Sequence, residues 1–532
     1  MTSGTIPSRL SGDPFVTLDR RGSRWWLAPG IAGALALAIT LLGSKGVDLP
    51  AHVYRVGLFH RQGLTLWDSQ WYGGHWTFGY SVVYPPIAGT LGVQLTAILS
   101  AVVAAWAFDR LASAHFGAAA RFGSVLFAVG LVAQVAIGQL PFLLGEALAL
   151  AALLSGSRRW GVLSVVLAVL SSLASPLAGA FVALTAFAWL VASWRHERRS
   201  KIALCVAAGV PLLVMEGLFP GQGAMPFPFA DFATLGIIFI ALFALLPRDE
   251  PVLRIGVLLY LVTIVANFVV PTAVGGNISR LGESIGGPLA MCVLTRHRRS
   301  LMAVLLVPIV VMAWSPAWAG LTSNRNDPST RADYYAPLLT FLSTHGGQAA
   351  RVEVVPTALH WEAAYVAPFA PLARGWERQL DTADNPIFYS TQPLAPTAYR
   401  QWLVDNGVRY VARGDVALDY AAVQEGSLVA SGSAGLQPVW HDAHWQVYEV
   451  VGSPGIISGP ARLVRMGGDQ IVLDVTSPGS VSVRVRYSPN WAVTDGSACI
   501  TEGPAKTLLL STTGPGEVTL QLRVLPPAHR SC

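Results

Sequence analysis

Repeated apolar runs between residues 26 and 318 constrain the fold of this chain more than any other feature. A helix needs about 20 apolar residues to cross the hydrocarbon core of a bilayer. The apolar runs are 26–42, 87–108, 122–137, 142–154, 161–173, 177–191, 202–218, 233–246, 255–270 and 301–318, with 288–294 as the core of a short additional run. They predict an integral membrane protein with about eleven transmembrane helices, although the tight pairs around Gly138 and Ser175 could dip only part-way.

The basic residues predict the orientation of these helices. They form short clusters on one side of the predicted membrane, at residues 20–24, 110–121, 158–159, 195–201, 248–254 and 296–299. Because Lys and Arg are retained in cytoplasmic loops, we expect the tail of residues 1–25 to be cytoplasmic and residues 45–86 and 321–532 to be extracytoplasmic. The net charge of +6 therefore reflects membrane topology. We expect a multi-pass plasma-membrane protein that contacts membrane lipids and no nucleic acid.

The polar region after residue 320 divides by its strand and helix pattern. Residues 333–346 and 395–413 mix helical periodicity with short alternating strands, which predicts an α/β domain over residues 321–452. From residue 453 to 532 short strands follow one another between Gly, Pro, Ser and Asp, which predicts a β-sandwich. Cys499 and Cys532 both lie in this region, where a disulfide between them and two free thiols are the alternatives.

The segment of residues 45–86, the first outer loop, is longer and richer in functional groups than a plain connector. Asp48 follows the first apolar run closely, and His52 and Arg55 come four and seven residues later. If residues 49–59 are helical, these three side chains share one face. A carboxylate there could take a proton from a sugar hydroxyl, and a guanidinium suits phosphate. The alternative is an amphipathic interfacial helix on which Asp48 pairs with Arg55.

The second half of this loop, WDSQWYGGHW at residues 67–76, adds aromatic rings. Asp68 lies beside rings that could stack on a sugar, so it is a second candidate for a catalytic carboxylate. The other candidates for substrate binding in the loop are Trp71, Tyr72, His75 and Tyr84. Trp and Tyr also collect at membrane interfaces for solvation reasons alone, an alternative that is strongest for Trp67 and Trp76.

A later loop, GGNISRLGESIGG at residues 275–287, places further polar groups at the same predicted membrane surface. Asn277, Arg280 and Glu283 are candidates for substrate binding, and Arg280 could bind a lipid phosphate. Alternatively, Arg280 snorkels to the surface or pairs with Glu283. The sequence has no phosphate-binding GxxxxGK[ST] loop and no HExxH or CxxC motif, so neither ATP nor a zinc site is indicated. The spacing of Asp48, His52, Asp68 and His75 is not diagnostic of a metal, although a divalent cation could bind.

Several of these motifs resemble a known family. The patterns GxDLPAHxYR and LWDxxWYGGxxxFxYxxxYPP of the first outer loop are similar to bacterial membrane proteins described as 6-pyruvoyl-tetrahydropterin synthase-related. These are related to the GT-C superfamily of polyprenyl-phosphate-sugar glycosyltransferases. The motifs GGNxxRLGxxxGGPL at 275–289, RGWERQLD at 374–381 and YSPNW at 487–491 resemble actinobacterial members. A departure is Ser175-Pro176, where a His-Pro pair is expected.

The resemblance implies a GT-C-like polytopic α-helical fold with an extracytoplasmic active site. It implies that Asp48 is the general base, that a polyprenyl-phosphate-linked sugar is the donor, and that an envelope glycan or glycolipid is the acceptor. Arg280 would then hold the donor phosphate. The rival interpretation is a non-catalytic envelope-assembly scaffold or a lipid-linked-glycan transporter. A transporter needs polar residues at mid-membrane depth, whereas the polar residues here gather at one surface, which favours the transferase.

Overall fold

The computed structural model describes residues 26–158, 160–194, 197–220, 223–294 and 299–527. The predicted cytoplasmic tail and Cys532 lie outside these residues. The helices of the first 321 residues are α1 (Leu27–Leu42), α2 (Leu49–Gln62), α3 (Tyr84–Leu91), α4 (Val93–Phe116), α5 (Ala120–Ile137), α6 (Leu140–Ser157), α7 (Gly161–Ala174), α8 (Pro176–Ala192), α9 (Arg198–Leu218), α10 (Phe229–Leu245), α11 (Pro251–Val269), α12 (Ser279–Leu281), α13 (Gly287–Leu294) and α14 (Arg299–Leu321). A π-helical turn, Gly282–Gly286, joins α12 to α13.

Each predicted apolar run coincides with helical structure, so the helical character of the membrane region is confirmed. Within the described ranges, four helical stretches are long and apolar enough to cross a membrane: Val93–Ile137, Leu140–Ser157, Arg198–Leu218 and Pro251–Val269. Shorter apolar helices are Leu27–Leu42, Gly161–Ala174, Pro176–Ala192 and Phe229–Leu245. The number of crossings and their orientation stay predictions.

Small residues let the apolar helices approach one another closely. A Cβ atom on Gly123 of α5 would lie 2.2 Å from the Cys292 sulfur of α13. A Cβ atom on Gly179 of α8 would lie 2.7 Å from the Cα atom of Ser172 in α7. Neither position could take a larger residue without moving a helix. Close backbone approach of this kind stabilises helix packing where lipid supplies no hydrophobic driving force.

The α/β domain follows α14 and contains one mixed sheet. Its strands are β3 (Arg351–Val354), β4 (Val408–Gly414), β5 (Leu436–His441) and β6 (Trp445–Val450), in the order β3-β4-β6-β5. β3 and β4 are parallel and the other pairs are antiparallel. The helices around the sheet are α15 (Ala332–Thr344), α16 (Glu362–Tyr365), α17 (Arg378–Asp384), α18 (Pro396–Asp405) and α19 (Val423–Ala430).

The last part of the chain is a sandwich of two four-stranded antiparallel sheets, with the orders β12-β13-β10-β7 and β11-β14-β9-β8. The strands are β7 (Ile457–Ser458), β8 (Ala461–Met466), β9 (Gln470–Val475), β10 (Gly479–Arg486), β11 (Trp491–Asp495), β12 (Ala498–Glu502), β13 (Thr507–Thr512) and β14 (Gly516–Leu522). Alternate side chains of β10 face a shared core with residues of β13 and β14. The β-rich character predicted for this region is confirmed.

The described cysteines are free thiols in the apolar helices and disulfide-bonded in the β-sandwich. Cys205 and Cys292, in apolar helices, are free thiols. Cys499 on β12 takes part in a disulfide. Because Cys532 is not among the described residues, its pairing with Cys499 stays a prediction.

The first outer loop connects the helix bundle to both C-terminal units. Its β1 (Trp67–Asp68) and β2 (His75–Trp76) form a small antiparallel hairpin. Trp67 and Trp76 pack into the core of the β-sandwich, whereas Tyr54, Trp71 and Tyr72 pack into the core of the α/β domain. The loop is therefore held between the two units, and its helix α2 keeps a fixed position above the bundle.

Candidate functional site

Helix α2 positions the first group of predicted site residues. Asp48 is its N-cap residue, and the Asp48 side chain makes no capping hydrogen bond, which leaves it available for other contacts. The Asp48 backbone N–H donates to the carbonyl oxygen of Ile137 at the end of α5, over 3.1 Å. His52 and Arg55 follow on the same helix, so the helix predicted over residues 49–59 is confirmed.

Asp48 faces Arg280, which lies 232 residues later in α12. The Oδ2 atom of Asp48 is 3.4 Å from Nη2 of Arg280, and their side chains keep 24% and 16% of their exposure. Burial raises the pKa of the Asp48 carboxyl, and the positive charges of Arg280 and Arg55 oppose that rise. A carboxylate and a guanidinium that are partly open to solvent can each contact a ligand, which a fully buried pair could not.

Arg55 does not pair with Asp48, so that alternative interpretation of α2 is wrong. Its guanidinium forms a buried ion pair with Glu377 of the α/β domain and lies 4.1 Å from the centre of the Tyr80 ring. Burial raises the pKa of Glu377, and Arg55 opposes that rise. Glu377 belongs to RGWERQLD, the motif that stood out in this domain, but nothing in the sequence indicated that it would reach α2.

His52 lies beside Tyr80 and Tyr84, with ring centres 5.6 Å apart in both pairs. It is buried, and neither ring nitrogen has a hydrogen-bond partner among the described residues. Burial lowers the pKa of His52 well below its ordinary value, and Arg55 and Arg280 act in the same direction. The ring is therefore neutral at pH 7 and can accept or donate one hydrogen bond.

The α/β domain adds a second group of residues beside this site, of which Trp376 lies in the RGWERQLD motif and His360 was not singled out by the sequence. The indole N–H of Trp376 donates to the carbonyl oxygen of Val47, over 2.7 Å. The His360 ring stacks on Trp376 at 3.5 Å between centres and is close enough to Asp48 to oppose the rise in its pKa. Burial disfavours the charged form of His360, but the nearby carboxylates of Asp419 and Glu362 outweigh this and raise its pKa.

His360 also has a backbone φ of 56°. This left-handed conformation is rare for a residue with a side chain and is retained only where the surroundings fix it. Here the surroundings are the Trp376 ring on one face and the Asp419 carboxylate 3.2 Å from Nε2. The imidazole is therefore held in place at the edge of the Asp48 site.

The second half of the first outer loop is not part of this open site. Trp71 and Tyr72 are fully buried, so neither ring is open to a sugar in this structure. The Trp71 ring is covered by Tyr54 at 4.2 Å on one side and by His75 at 5.8 Å. The Tyr72 hydroxyl donates to the carbonyl oxygen of Glu377 and accepts from its N–H. Both residues dock the loop onto the α/β domain.

Asp68 and His75 are also buried, as partners in the β1–β2 register. Asp68 accepts hydrogen bonds from the Tyr54 hydroxyl at 2.8 Å and from the Gln70 backbone at 3.0 Å. Burial raises the pKa of Asp68 to about 6 and lowers that of His75 to about 3. These contacts give both side chains a structural position. The catalytic role predicted for Asp68 and the binding roles predicted for His75 and Tyr84 are not supported by any contact with Asp48 or Arg280.

The remaining predicted residues lie next to Arg280. Asn277 is in a 3-10 turn, Gly275–Ile278, directly before α12. Glu283 lies in the π-helical turn after it and lines a cavity of about 10 Å³ together with Arg280 and Gln134. Ser175, at the start of α8, packs against Gly145 of α6. Arg280 therefore lies on one short α-helical turn between a 3-10 turn and a π-helical turn, and π-helical turns are common at functional sites.

A larger apolar cavity of about 340 Å³ lies between the helices and extends from Leu281 to His115 and Glu250. Leu281, Ile285 and Leu289 line one wall, and side chains of α4, α6, α8, α10 and α11 complete it. A smaller cavity of about 30 Å³, which Phe142 and Glu146 line, also borders Leu281 and Ile285. Both apolar cavities therefore border Leu281, the residue that follows Arg280.

Within the described ranges, no group of three or more His, Cys, Asp or Glu side chains is arranged to hold a metal ion. The loose set of Asp48, His52, Asp68 and His75 is divided between the open site and the loop core. A divalent cation therefore has no protein-only candidate site in the described part of the chain.

Comparison with known proteins gives a limited result. No family model matches the chain, and no curated protein matches it, so the family resemblance stays a prediction. Two solved structures of the arabinofuranosyltransferase AftD from Mycobacteria are similar to it. They are 17% and 16% identical, cover 86% of this chain, and have TM-scores of 0.46 and 0.43. This chain spans 43% and 41% of their length, and TM-scores below 0.5 do not establish a common fold.

Proposed function

We propose that the chain is a GT-C-type membrane glycosyltransferase, which moves a sugar from a polyprenyl-phosphate donor to an envelope glycan or glycolipid outside the plasma membrane. The observation that carries this proposal is the contact between Asp48 and Arg280 over an apolar cavity. It joins a base and a phosphate ligand at one end of the bundle, and the cavity runs from Leu281 toward His115 and Glu250 at the other end. The proposal also rests on the sequence resemblance.

Asp48 is the proposed general base. It takes the proton of an acceptor hydroxyl while the hydroxyl oxygen forms a bond to the anomeric carbon of the donor sugar. General base catalysis requires a carboxylate within hydrogen-bond reach of this proton, and the Asp48 side chain is partly exposed at the site. The burial that raises its pKa also makes the carboxylate a stronger base. Inversion at the anomeric carbon follows from such a single displacement.

Arg280 is the proposed ligand of the donor phosphate. When the bond between sugar and phosphate oxygen breaks, the electron pair stays on the polyprenyl phosphate, which gains negative charge. A guanidinium carries five N–H donors, and only Nη2 of Arg280 approaches Asp48. The other donors are available to the phosphate, and the positive charge stabilises the leaving group.

The apolar cavity is the proposed position of the polyprenyl chain. Leu281 lines the cavity and is the next residue after Arg280, so a phosphate on Arg280 would extend its lipid directly into apolar surroundings. Because the chain would move from one apolar environment, the bilayer, to another, van der Waals contact with the cavity lining would hold it there. The Tyr80 ring and the Trp376 indole, which are both half-buried, are the aromatic groups proposed to line the sugar.

The experiment that tests this proposal is complementation of a deletion strain with Asp48→Asn, followed by analysis of the envelope glycans and of the amount of protein in the membrane. We expect normal insertion without return of the missing glycan linkage. The matched control is Asp333→Asn, the same chemical change at a carboxylate that is 72% exposed on the α/β domain. This control should restore the linkage in full.

Full restoration of the wild-type envelope by Asp48→Asn would contradict the assignment of Asp48 as base. It would leave the non-catalytic scaffold as the better account, because a scaffold needs the shape of the loop and not the charge of this residue. Loss of the protein from the membrane in Asp48→Asn alone would show that the residue stabilises the fold instead.

A further inference from the structure

A series of planar side chains in mutual contact leads from the Asp48 site to the surface of the α/β domain. The His360 ring, at the edge of that site, stacks on the Trp376 indole with 3.5 Å between ring centres. The guanidinium carbon of Arg378 lies 5.0 Å from the centre of the Trp376 ring and 4.7 Å from the centre of the Tyr420 ring. Three contacts therefore connect the surroundings of the proposed base to Tyr420.

Tyr420 is the exposed end of this series. It is 67% exposed, whereas His360 is buried and Trp376 and Arg378 are half-buried. Because Arg378 lies over one face of the Tyr420 ring, this exposure leaves the opposite face open to solvent. The half-buried Tyr389 ring stands beside it, with 6.4 Å between ring centres and an angle of 76° between the ring planes. The surface thus presents one open aromatic face with a second ring at its side.

Asp419 holds both ends of the series in place. Its carboxylate accepts hydrogen bonds from Nη1 and Nη2 of Arg378 at 3.0 and 2.7 Å, and its Oδ2 atom lies 3.2 Å from Nε2 of His360. Its Oδ1 atom also accepts from the Ala421 backbone N–H, which fixes the 3-10 turn that begins at Tyr420. The ring is therefore positioned before any ligand arrives, so stacking on it costs little conformational entropy of the protein.

The chemistry of this surface suits a neutral sugar. Tyr offers a large, rigid and amphipathic contact area, and the negative face of its ring attracts the C–H groups of a sugar face. The charge of Arg378 is paired with Asp419, so the surface does not select an anion. One exposed ring is also far smaller than the roughly 800 Å² per partner that a stable protein interface buries.

We propose that Tyr420 forms a subsite for the acceptor glycan, on which a sugar unit stacks at a distance from the hydroxyl that receives the new sugar. The inference rests on the proposed function, since it is the transfer reaction that defines an acceptor. The acceptor then extends from Asp48 past Trp376 and Arg378 to Tyr420. Glycans long enough to reach Tyr420 bind more tightly than shorter ones.

The first test measures binding without a donor, so it does not depend on catalysis. The probes are oligosaccharides released by mild acid from the envelope of the deletion strain and separated by length. Saturation-transfer NMR with the full chain in lipid nanodiscs reports their affinity. Tyr420→Ala should weaken binding of the long fraction about 3–10-fold, and Tyr420→Phe should restore it. The control Phe369→Ala, which removes a 54% exposed ring of the same domain, should bind as the native protein does.

The second test is the dependence of transfer on acceptor length. The native protein should have a lower KM for the long fraction than for the short one, and Tyr420→Ala should lose this difference. No binding of the long fraction to native protein, equal affinity in Tyr420→Ala, or a length preference that survives in Tyr420→Ala would each overturn the subsite.

The subsite and the proposed function fail in different ways. Asp48→Asn should still bind the long fraction while it transfers no sugar, which supports both. Binding that depends on Tyr420, together with normal transfer by Asp48→Asn, would contradict the role of Asp48 and leave the subsite in place. Loss of transfer in Asp48→Asn, together with binding that does not depend on Tyr420, would overturn the subsite alone.

Discussion

The two halves of the first outer loop contain the same kinds of residue and differ at the acid, since Asp48 is partly exposed and Asp68 is buried. Residues 48–55 include an acid, Asp48, that is partly exposed beside Arg280, together with a histidine and an arginine that are buried. Residues 67–76 include an acid, a histidine and three tryptophans that are buried between the two C-terminal units. The residue types alone do not separate a binding surface from a docking surface.

The difference arises from what packs against each half. The hairpin of residues 67–76 packs against large apolar surfaces of the C-terminal region. These surfaces bury its aromatic rings, which are then not accessible for stacking on a sugar. Helix α2 instead contacts polar side chains: Asp48 lies near Arg280, and Arg55 pairs with Glu377 and lies over the Tyr80 ring. Variants in the first half should therefore change activity, and variants in the second half should change stability.

Asp48→Asn should produce the largest functional effect. We expect the transfer rate to fall about 10²–10⁴-fold, the usual contribution of a general base, with an unchanged unfolding midpoint. The Asp48 side chain contacts Arg280 only at 3.4 Å and is partly exposed, so its stabilising contribution is small. Transfer of radiolabelled sugar from lipid-linked donors by purified protein would measure the rate. A normal transfer rate, or a fall in rate that matches a loss of folded protein, would contradict the assignment of Asp48 to catalysis.

Trp71→Ala should produce the largest stability effect. We expect a loss of about 3–5 kcal/mol in the free energy of unfolding, because the ring is fully buried between Tyr54 and the backbone of Gly375. Denaturant titration followed by tryptophan fluorescence would measure it, with Trp26→Ala at a 56% exposed position as the control. A loss of activity with normal stability would instead return Trp71 to the binding site.

Tyr72→Phe should have a smaller effect of the same kind. The change removes the hydroxyl that bridges the N–H and carbonyl groups of Glu377, and one lost buried hydrogen-bond partner costs about 1–3 kcal/mol. The same denaturant titration applies. The unfolding midpoint should fall while the affinity for donor stays within twofold of the native value. A large change in affinity at unchanged stability would argue against docking.

Asp68 and His75 should give the smallest effects, with opposite dependence on pH. The pKa of Asp68 is raised from 3.8 to about 6, so the folded state retains a proton and stability falls as pH rises from 4 to 6. The pKa of His75 is lowered from 6.5 to about 3, so stability falls as pH drops below 6.5. Each proton contributes about 1.4 kcal/mol per pH unit at most.

The two contributions oppose each other between pH 4 and 6 in the native protein. Asp68→Asn should therefore steepen the loss of stability toward acid, and His75→Gln should reduce it, relative to the native curve. Unfolding midpoints measured at half-unit pH intervals would show the two slopes. Parallel curves for both variants would mean that neither group is buried as the structure has it.

Part of the candidate site could be predicted from the sequence because its signal is local. The spacing of Asp48, His52 and Arg55 predicts a shared helix face, and α2 supplies it. Arg280 was also predicted, because its loop motif is rich in glycine and polar groups. Glu377, His360 and Tyr80 were missed as site residues, since their relation to Asp48 depends on contacts over hundreds of residues that no periodicity reports.

By itself, the sequence determined the apolar helices, the change to an α/β pattern after residue 320 and the β-strands after residue 453. These follow from hydrophobic periodicity, which each segment carries within its own residues. Only the tertiary structure decided that Asp48 faces Arg280, that Arg55 pairs with Glu377, and that Trp71 and Tyr72 are core residues. Those outcomes depend on which surfaces exclude water from each side chain, and that is fixed only when distant segments pack together.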